Sequence, residues 1–218
     1  MLIGVEKRFV FVANTKSAST TIEHAMMEHA EIHRAGSPKR KHIPLVEIYR
    51  AYDSLFGQPE HRPETYFAFG VMREPVDWIL SWYRYRKGND VQAPLSEDMT
   101  FARFWERNDW NITRPDGRRH LQRQIFCDSG DRVLADVIIP YHDLEAGFAR
   151  ICNALGLPDR LQRKNVSRIR EIAEPIPPSL QAEMRAFYAP DYELFDSLPS
   201  LNADGFEKLR ERATQAAR

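Results

Sequence analysis

The 218-residue sequence lacks the features that mark several special classes of protein. It has two cysteines, Cys127 and Cys152, which are too few for a disulfide framework and are typical of buried thiols in a reducing compartment. No apolar run approaches the roughly 20 residues of a membrane span, and the N-terminal residues MLIGVEKRFVF do not have the pattern of an export signal. We therefore expect a cytoplasmic protein with no stable membrane insertion.

The sequence also has no excess of charge of either sign. Lysine and arginine together number 31, and aspartate and glutamate together number 31 as well. This balance argues against a nucleic-acid partner, and any anion site must be built from a few local residues. Hydrophobic residues make up 43% of the chain, which suits one folded domain over residues 1–218 with a substantial core.

Glycine is absent where the common nucleotide-binding motifs need it. No glycine lies between Gly4 and Gly36, so the stretch VFVANTKSASTTIEHAMMEH at residues 10–29 contains neither a Walker A motif nor G-x-G-x-x-G. At the end of its apolar run the stretch instead has Lys16, which is followed within five residues by four hydroxyl side chains, Ser17, Ser19, Thr20 and Thr21.

Apolar runs alternate with helical patterns along the chain. Buried strands are predicted at residues 7–14, 66–72 and 136–139. Helices are predicted at 19–30, 44–52, 75–87, 100–107, 118–127, 143–156, 179–188, 191–197 and from about 203. Strands that alternate with helices predict an α/β domain with a central parallel β-sheet flanked by helices.

The loop after the first predicted strand has the composition of an anion site. In a parallel sheet, ligands bind where the carboxyl ends of strands lead into helix N-termini, and the N–H groups there favour phosphate or sulfate. Lys16 adds a positive charge and the hydroxyls add donors, while Ser19 or Thr20 can cap the helix. A generously capped helix beside a solvated lysine is the other interpretation of these residues.

A second candidate anion site lies in the segment FAFGVMREPVDWILSWYRYR. Pro75 suits the first turn of a helix, which places Arg73 at the end of the preceding strand and Ser81 about two turns into the helix. An arginine fork together with a hydroxyl suits a phosphate monoester. The alternative is a surface Arg–Glu pair and an ordinary helix serine.

Together, the two segments resemble the sulfotransferases that use 3′-phosphoadenosine 5′-phosphosulfate (PAPS). In that family a strand leads into Pro-Lys-x-x-[ST]-[ST], often with glycine at the fourth position, and a later strand leads into Arg-[DEN]-Pro…Ser. This chain has Thr15 in place of the proline, Ala18 in place of the glycine, and Trp78 where many members have a second arginine. The segments HLQRQIFCD, KNVSRIRE and FYAPDYELFDSL are similar to later parts of the family, in the branch that includes many carbohydrate sulfotransferases.

The resemblance implies a P-loop NTPase-like sulfotransferase fold and transfer of a sulfuryl group from PAPS to a hydroxyl or amine, with release of the 3′,5′-bisphosphate PAP. No metal is expected, because Lys16 and the loop N–H groups can stabilise the leaving oxygen. The acceptor that the resemblance suggests is a saccharide, a glycolipid or another small molecule, and nothing in the sequence indicates an oligomeric state. The implied cofactor contacts are Lys16, Ser17, Ala18, Ser19, Thr20, Thr21, Arg73, Ser81, Asn165 and Ser167.

An acceptor hydroxyl also needs a general base, for which His42 is the candidate. Related carbohydrate sulfotransferases have a histidine in a similar Lys/Arg-His context after the first helix, and it acts as the base. The basic residues 39–41 are expected to lower the pKa of His42 and to keep the imidazole neutral. The rival bases are the carboxylates of Glu47, Glu74 and Asp77.

Two other functions remain as alternatives. One is a P-loop-like small-molecule kinase, which the missing Walker glycines and magnesium ligands disfavour, and the other is a non-catalytic nucleotide-binding protein of the same fold. Aromatic and basic residues in the middle third of the chain have two open interpretations, as an acceptor site or as core and solvated helix surface: Trp82, Tyr83, Arg84, Tyr85, Arg86, Lys87, Trp105, Trp110, Arg118 and Arg119.

Overall fold

The computed structural model describes residues 1–88, 94–107, 120–161 and 175–216, with the backbone alone for 215 and 216. Some of the predicted site residues lie outside the described residues: Asn165, Ser167, Trp110, Arg118 and Arg119. None of the helices in the described ranges is both long enough and apolar enough to span a membrane.

Five strands of the described chain form one sheet in the order β3-β1-β2-β4-β5. Their bounds are β1 (Leu2–Gly4), β2 (Phe9–Phe11), β3 (Ile32–His33), β4 (Phe67–Met72) and β5 (Val137–Pro140). Strands β2, β4 and β5 run parallel, whereas β1 is antiparallel to both of its neighbours. The sheet is therefore mixed, and the expectation of a purely parallel sheet is wrong at this edge.

The antiparallel edge follows from a short connection that the sequence analysis missed. Only residues 5–8 separate β1 from β2, and a parallel crossover needs a dozen residues or more. The two strands therefore form a hairpin in which Ile3 pairs with Val10. Arg8, which lies in the turn of this hairpin, has a left-handed backbone with a φ of 55°.

Helices surround this sheet, and five begin and end within one residue of their predicted bounds, namely those predicted at 44–52, 75–87, 100–107, 143–156 and 179–188. The helices are α1 (Ser19–Met26), α2 (Pro38–Lys41), α3 (Leu45–Ala51), α4 (Asp53–Phe56), α5 (Pro75–Gly88), α6 (Phe101–Glu106), α7 (Arg123–Phe126), α8 (Leu144–Leu155), α9 (Pro178–Phe187) and α10 (Ala189–Ala216). The helix predicted at 118–127 begins only at Arg123, and residues 118 and 119 lie outside the described residues. The helix predicted at 19–30 stops at Met26 and continues as a 3₁₀ turn, Met27–His29.

The two segments predicted at 191–197 and from 203 are one continuous helix, α10, which includes Pro199. Proline inside a helix removes a hydrogen bond and costs about 3 kcal/mol. Here the proline is on the exposed side, while Leu198, Phe206 and Leu209 on the other side are buried in the core. Tertiary packing therefore overrides the local preference for a break.

Helix α10 lies directly against β5, at the edge of the sheet. The side-chain oxygen of Asn202 accepts a hydrogen bond from the N–H of Ile138, and its amide donates to the carbonyl oxygen of Ile138, each at 2.8 Å. A Cβ atom at Gly205 would overlap the carbonyl oxygen of Asp136, so this close approach requires glycine. The contact places the start of α10 near the carboxyl ends of the parallel strands.

Two groups of buried side chains hold the elements together. The larger one surrounds the sheet and includes the fully buried rings of Phe9, Phe67 and Phe69. The second joins α5, α6 and α9 around Trp78 and Tyr188. Helix α5 contributes to the second group and also follows β4, so it connects the sheet to this helical layer.

Candidate active site

The first candidate segment forms a loop at the carboxyl end of β2. The N–H of Val12 still bonds to the carbonyl oxygen of Phe69 in β4, at 2.9 Å, and the chain then turns through residues 15–18 into α1. The strand predicted at 7–14 is therefore shorter than expected. The last residues of the predicted strand, 12–14, lead into the loop that faces the end of β4.

The backbone of the 15–18 loop alternates in conformation. Lys16 and Ala18 both have a φ of 56°, in the left-handed region, and Ser17 between them does not have a positive φ. Alternation of this kind is typical of nests, in which successive N–H groups face one anion. Ala18 is the N-cap of α1 and offers no side-chain acceptor, so the predicted cap by Ser19 or Thr20 is wrong. A helix N-terminus without a side-chain cap favours an anionic ligand.

The predicted hydroxyl ligands differ in exposure. Ser17 is 1% exposed, and its Oγ accepts a hydrogen bond from Asn14 and donates one to the carbonyl oxygen of Thr15. Ser19 and Thr21 are also buried. The hydroxyl of Ser17 is therefore engaged within the loop.

Thr20 is the partly exposed hydroxyl of the group. Its Oγ1 accepts a hydrogen bond from Nζ of Lys41 at 3.0 Å. An ammonium has no acceptor, so the hydrogen of the Thr20 hydroxyl remains available to a ligand. Lys41 also pairs with the buried carboxylate of Glu23 at 2.6 Å, which ties α2 to α1. Lys41 is thus not part of a freely solvated basic loop, whereas Lys39 is exposed.

Arg73 and Trp78 of the second candidate segment both bind the backbone of the 15–18 loop. Nε of Arg73 donates to the carbonyl oxygen of Lys16 at 2.5 Å. Nε1 of Trp78, which is 1% exposed, donates to the carbonyl oxygen of Thr15 at 2.9 Å. The structure thus brings the two segments together, and the residue at the place of a second arginine binds the loop itself.

The guanidinium of Arg73 makes two further contacts. Nη1 donates to the carboxylate of Asp77 at 2.6 Å, and the group lies 3.4 Å from the centre of the Tyr141 ring. The neighbouring Glu74 instead accepts the N–H of Asp77 at 2.7 Å, at the start of α5. A surface Arg–Glu pair is therefore not what this segment forms. Ser81 is buried two turns along the same helix.

The side chain of Lys16 lies among aromatic rings. Its Nζ is 3.6 Å from the ring centre of Tyr85 and 5.8 Å from that of Trp82. Burial, and then the charge of Arg73, lowers the pKa of Lys16 to about 8. Within the described ranges no carboxylate lies within ion-pair distance of this ammonium. A desolvated cation beside a second cation is stabilised by an anionic ligand.

His42 is hydrogen-bonded to the start of the same loop. Its Nδ1 is 2.8 Å from the carbonyl oxygen of Ala13. A carbonyl oxygen only accepts, so Nδ1 carries the hydrogen and Nε2 is the basic nitrogen of the neutral ring. Burial lowers the pKa of His42, the Ala13 carbonyl opposes this effect, and Lys41 adds to the lowering. The expected influence of basic neighbours is therefore secondary to burial.

Each of the three rival carboxylates already has hydrogen-bond partners. Glu47 is exposed on α3 and pairs with Arg50 at 2.8 Å. Asp77 pairs with Arg73, and Glu74 accepts hydrogen bonds at the start of α5. The three carboxylates thus have structural partners, whereas the hydrogen bond of His42 uses Nδ1 and leaves Nε2 as a basic nitrogen.

A buried amide pair behind the loop was missed from the sequence. Nδ2 of Asn14 donates to Oε1 of Gln122 at 2.9 Å and to the carbonyl oxygen of Val71 at 3.1 Å. Gln122, which is fully buried, also accepts the N–H of Arg73 at 3.1 Å and donates to the Arg73 carbonyl at 2.9 Å. The pair thus fixes the ends of β2 and β4 relative to each other.

Asp191, at the start of α10, supports this pair from behind. Its two carboxylate oxygens accept the N–H groups of Gln122 at 2.9 Å and Arg123 at 2.8 Å. Burial raises the pKa of Asp191 to about 6. No local signal in the sequence links Asp191 to a residue 69 positions earlier, because the contact depends on how α10 packs.

The described residues include no group of three or more His, Cys, Asp or Glu side chains placed to hold a metal ion. No curated protein and no solved structure gives a significant match to the chain. The model of the sulfotransferase family matches residues 2–196, a span that includes both loop-forming segments and Asp191. Because the match covers most of the chain, the protein belongs to the sulfotransferase family.

Proposed function

We propose that the protein transfers a sulfuryl group from PAPS to a hydroxyl or amine of an acceptor and releases PAP. The observation that carries this proposal is the hydrogen bond between Arg73 and the Lys16 carbonyl. It joins a cation from each segment beside a helix N-terminus without a side-chain cap. PAPS has an anionic group at each end of its adenosine, which suits two adjoining cationic sites.

Lys16 and the N–H groups of the 15–18 loop are proposed to bind the 5′-phosphosulfate, with Thr20 as a further donor. Arg73 and Ser81 are proposed to bind the 3′-phosphate. Four residues at the start of α1 are proposed to contact the 5′-phosphosulfate through their backbone N–H groups: Ser17, Ala18, Ser19 and Thr21. Asn165 and Ser167 stay predictions as cofactor contacts.

Two proton-bearing groups would assist the transfer. The ammonium of Lys16 stabilises negative charge on the leaving phosphate oxygen. Nε2 of His42 accepts the proton of the acceptor hydroxyl, since burial keeps the imidazole neutral near pH 7. The Ala13 carbonyl stabilises the imidazolium that results, because Nδ1 still donates to it.

The acceptor is proposed to be a saccharide or another small molecule. Tyr85 is 36% exposed, and Trp82 packs edge-on against it beside Nζ of Lys16. An exposed ring such as that of Tyr85 can stack on a sugar, whereas Tyr83 and Trp105 are core residues. A P-loop NTPase-like fold, one domain over residues 1–218 and a cytoplasmic location stay predictions.

The test is binding and transfer by the purified chain. Calorimetry in the presence of EDTA should show PAP binding that does not need a metal ion, and ³⁵S-labelled PAPS should transfer label to members of a saccharide acceptor panel. Binding of Mg·ATP without binding of PAP would indicate a kinase instead. PAP binding without transfer to any acceptor would favour a non-catalytic nucleotide-binding protein.

A further inference from the structure

The indole of Trp78 donates a hydrogen bond to the loop but belongs to the helical layer. We propose that Trp78 is a positioning residue, which holds the 15–18 loop in the conformation that binds a tetrahedral anion. The geometry of the loop carries this inference, and the identity of the anion as the 5′ end of PAPS rests on the proposed function.

The first step concerns two consecutive peptide groups. Trp78 binds the carbonyl oxygen of Thr15, and Arg73 binds that of Lys16. In a trans peptide the carbonyl and the next N–H point in opposite directions. The two donors therefore direct the N–H groups of Lys16 and Ser17 away from themselves.

The second step concerns the cost of the loop conformation. Lys16 and Ala18 hold a left-handed backbone that residues with a Cβ adopt at a cost in free energy. Such a conformation persists only where surrounding contacts impose it. The bonds from Trp78 and Arg73 are contacts of this kind.

The third step concerns the indole itself. Its ring packs at 87° to Tyr188 with 6.1 Å between centres, and at 32° to His120 with 5.4 Å. The ring cannot turn without disturbing the core, so the direction of its N–H is fixed. It is also neutral and buried, and therefore acts on a ligand through the loop and not by direct contact.

The chain offers a matched control for this role. Trp105 belongs to the same hydrophobic group, is 5% exposed, and donates its indole N–H to Glu183 at 2.8 Å. Trp78→Phe and Trp105→Phe thus remove the same chemical group from the same layer. Of these two tryptophans, Trp78 donates to the 15–18 loop and Trp105 donates to a side chain elsewhere.

The experiment compares both variants with wild type in two measurements. The first is the ¹⁵N order parameter of the Lys16 and Ser17 amides without ligand. We expect it to fall from about 0.85 to below roughly 0.6 in Trp78→Phe alone. The second is affinity for PAP and for adenosine 3′-monophosphate, which lacks the 5′-phosphate. Trp78→Phe should weaken PAP binding by roughly 3- to 10-fold, the loss of one hydrogen bond, and leave the monophosphate unchanged.

Unchanged order parameters in Trp78→Phe would overturn the inference, as would equal effects of the two variants or equal losses for the two nucleotides. If the smaller ring at position 78 prevents folding, 3-benzothienylalanine there keeps the shape of indole and removes only the N–H. If wild type does not bind PAP, the proposed function fails. The order parameters then still decide whether Trp78 holds the loop.

Discussion

Nδ1 of His42 lies 2.8 Å from the carbonyl oxygen of Ala13, three residues before Lys16 in the chain. This single contact selects the tautomer and directs Nε2 away from the Ala13 carbonyl. It also links the candidate base to the loop that carries the candidate cation. The pH dependence of the reaction should therefore report two groups at one site, each with a lowered pKa.

The first prediction concerns the acid side of the pH profile. Because burial lowers the pKa of His42 below its usual 6.5, kcat/KM should rise with pH through one ionisation below that value. His42→Asn should remove this ionisation and reduce kcat by roughly 10²–10⁴-fold, with PAP affinity near wild type. Glu47→Gln is the control and should change neither quantity. Full activity of His42→Asn with an unchanged profile would exclude His42 as the base.

The second prediction concerns the alkaline side. With a pKa of about 8, Lys16 loses its proton as pH rises through that value, so PAP affinity should fall above pH 8. A bound anion favours the ammonium, and the decline of kcat should therefore occur at higher pH than the decline of affinity. Lys16→Arg keeps the charge and should move the decline beyond pH 10. Calorimetric titrations from pH 6 to 10 measure this, and a pH-independent affinity of wild type would contradict it.

The third prediction separates Arg73 from Ser81. Ser81→Ala removes one neutral donor and should weaken PAP binding by about 1 kcal/mol, without effect on adenosine 5′-phosphosulfate, which lacks the 3′-phosphate. Arg73→Ala should weaken PAP binding by about 2–3 kcal/mol and should also weaken the second ligand, because Arg73 supports the loop as well. Calorimetry with both ligands distinguishes the two patterns. If Ser81→Ala lost affinity equally for both ligands, Ser81 would not be a contact of the 3′-phosphate.

The fourth prediction concerns the buried amide pair. Gln122→Glu replaces a donor to the Arg73 carbonyl with a carboxylate oxygen and leaves a buried charge. The free energy of unfolding should fall by roughly 3–5 kcal/mol in urea denaturation. Gln124→Glu, in the helix that directly follows Gln122 and only half-buried, is the control and should cost less than about 1 kcal/mol. Similar losses for the two variants would mean that the pair does not stabilise the fold.

The fifth prediction concerns the N-cap of α1. Ala18 has a left-handed backbone, so Ala18→Gly should raise the free energy of unfolding by about 0.5–1 kcal/mol, after the greater entropy of unfolded glycine is subtracted. Ala25→Gly, in the right-handed part of the same helix, should lower it by about 1 kcal/mol. Thermal denaturation of both variants measures whether the two changes in the free energy of unfolding have opposite signs. A loss of stability in Ala18→Gly would contradict the inference that the backbone of Ala18 is strained.

The sequence predicted the elements whose signals are local. The apolar run at residues 66–72 and Pro75 after it specify β4 and the start of α5, and both lie where they were expected. The expected parallel sheet placed the end of β4 beside the first loop, and β2 and β4 do pair in parallel in the structure. The role of Arg73 in holding that loop did not follow, because Nε and the Lys16 carbonyl are 57 positions apart.

Local sequence patterns cannot predict the contacts between polar groups that lie far apart in the sequence. Asn14 and Gln122 are 108 positions apart, and each is an unremarkable amide in its own segment. Trp78 reads locally as a core residue, and only the fold shows that its N–H reaches the loop. Likewise Pro199 suggests a helix end, and only the packing of α10 on β5 overrides it.

The paired hydrogen bonds between Asn202 and Ile138 have a consequence for self-association. The N–H and carbonyl of Ile138 face outward from an edge strand, where a strand from another molecule would otherwise extend the sheet. The side-chain amide of Asn202 takes the place of that strand, and the opposite edge, β3, is only two residues long. Any partial unfolding that releases α10 therefore exposes an unpaired strand edge as well as core residues, and we expect α10 to protect this edge from pairing with another molecule.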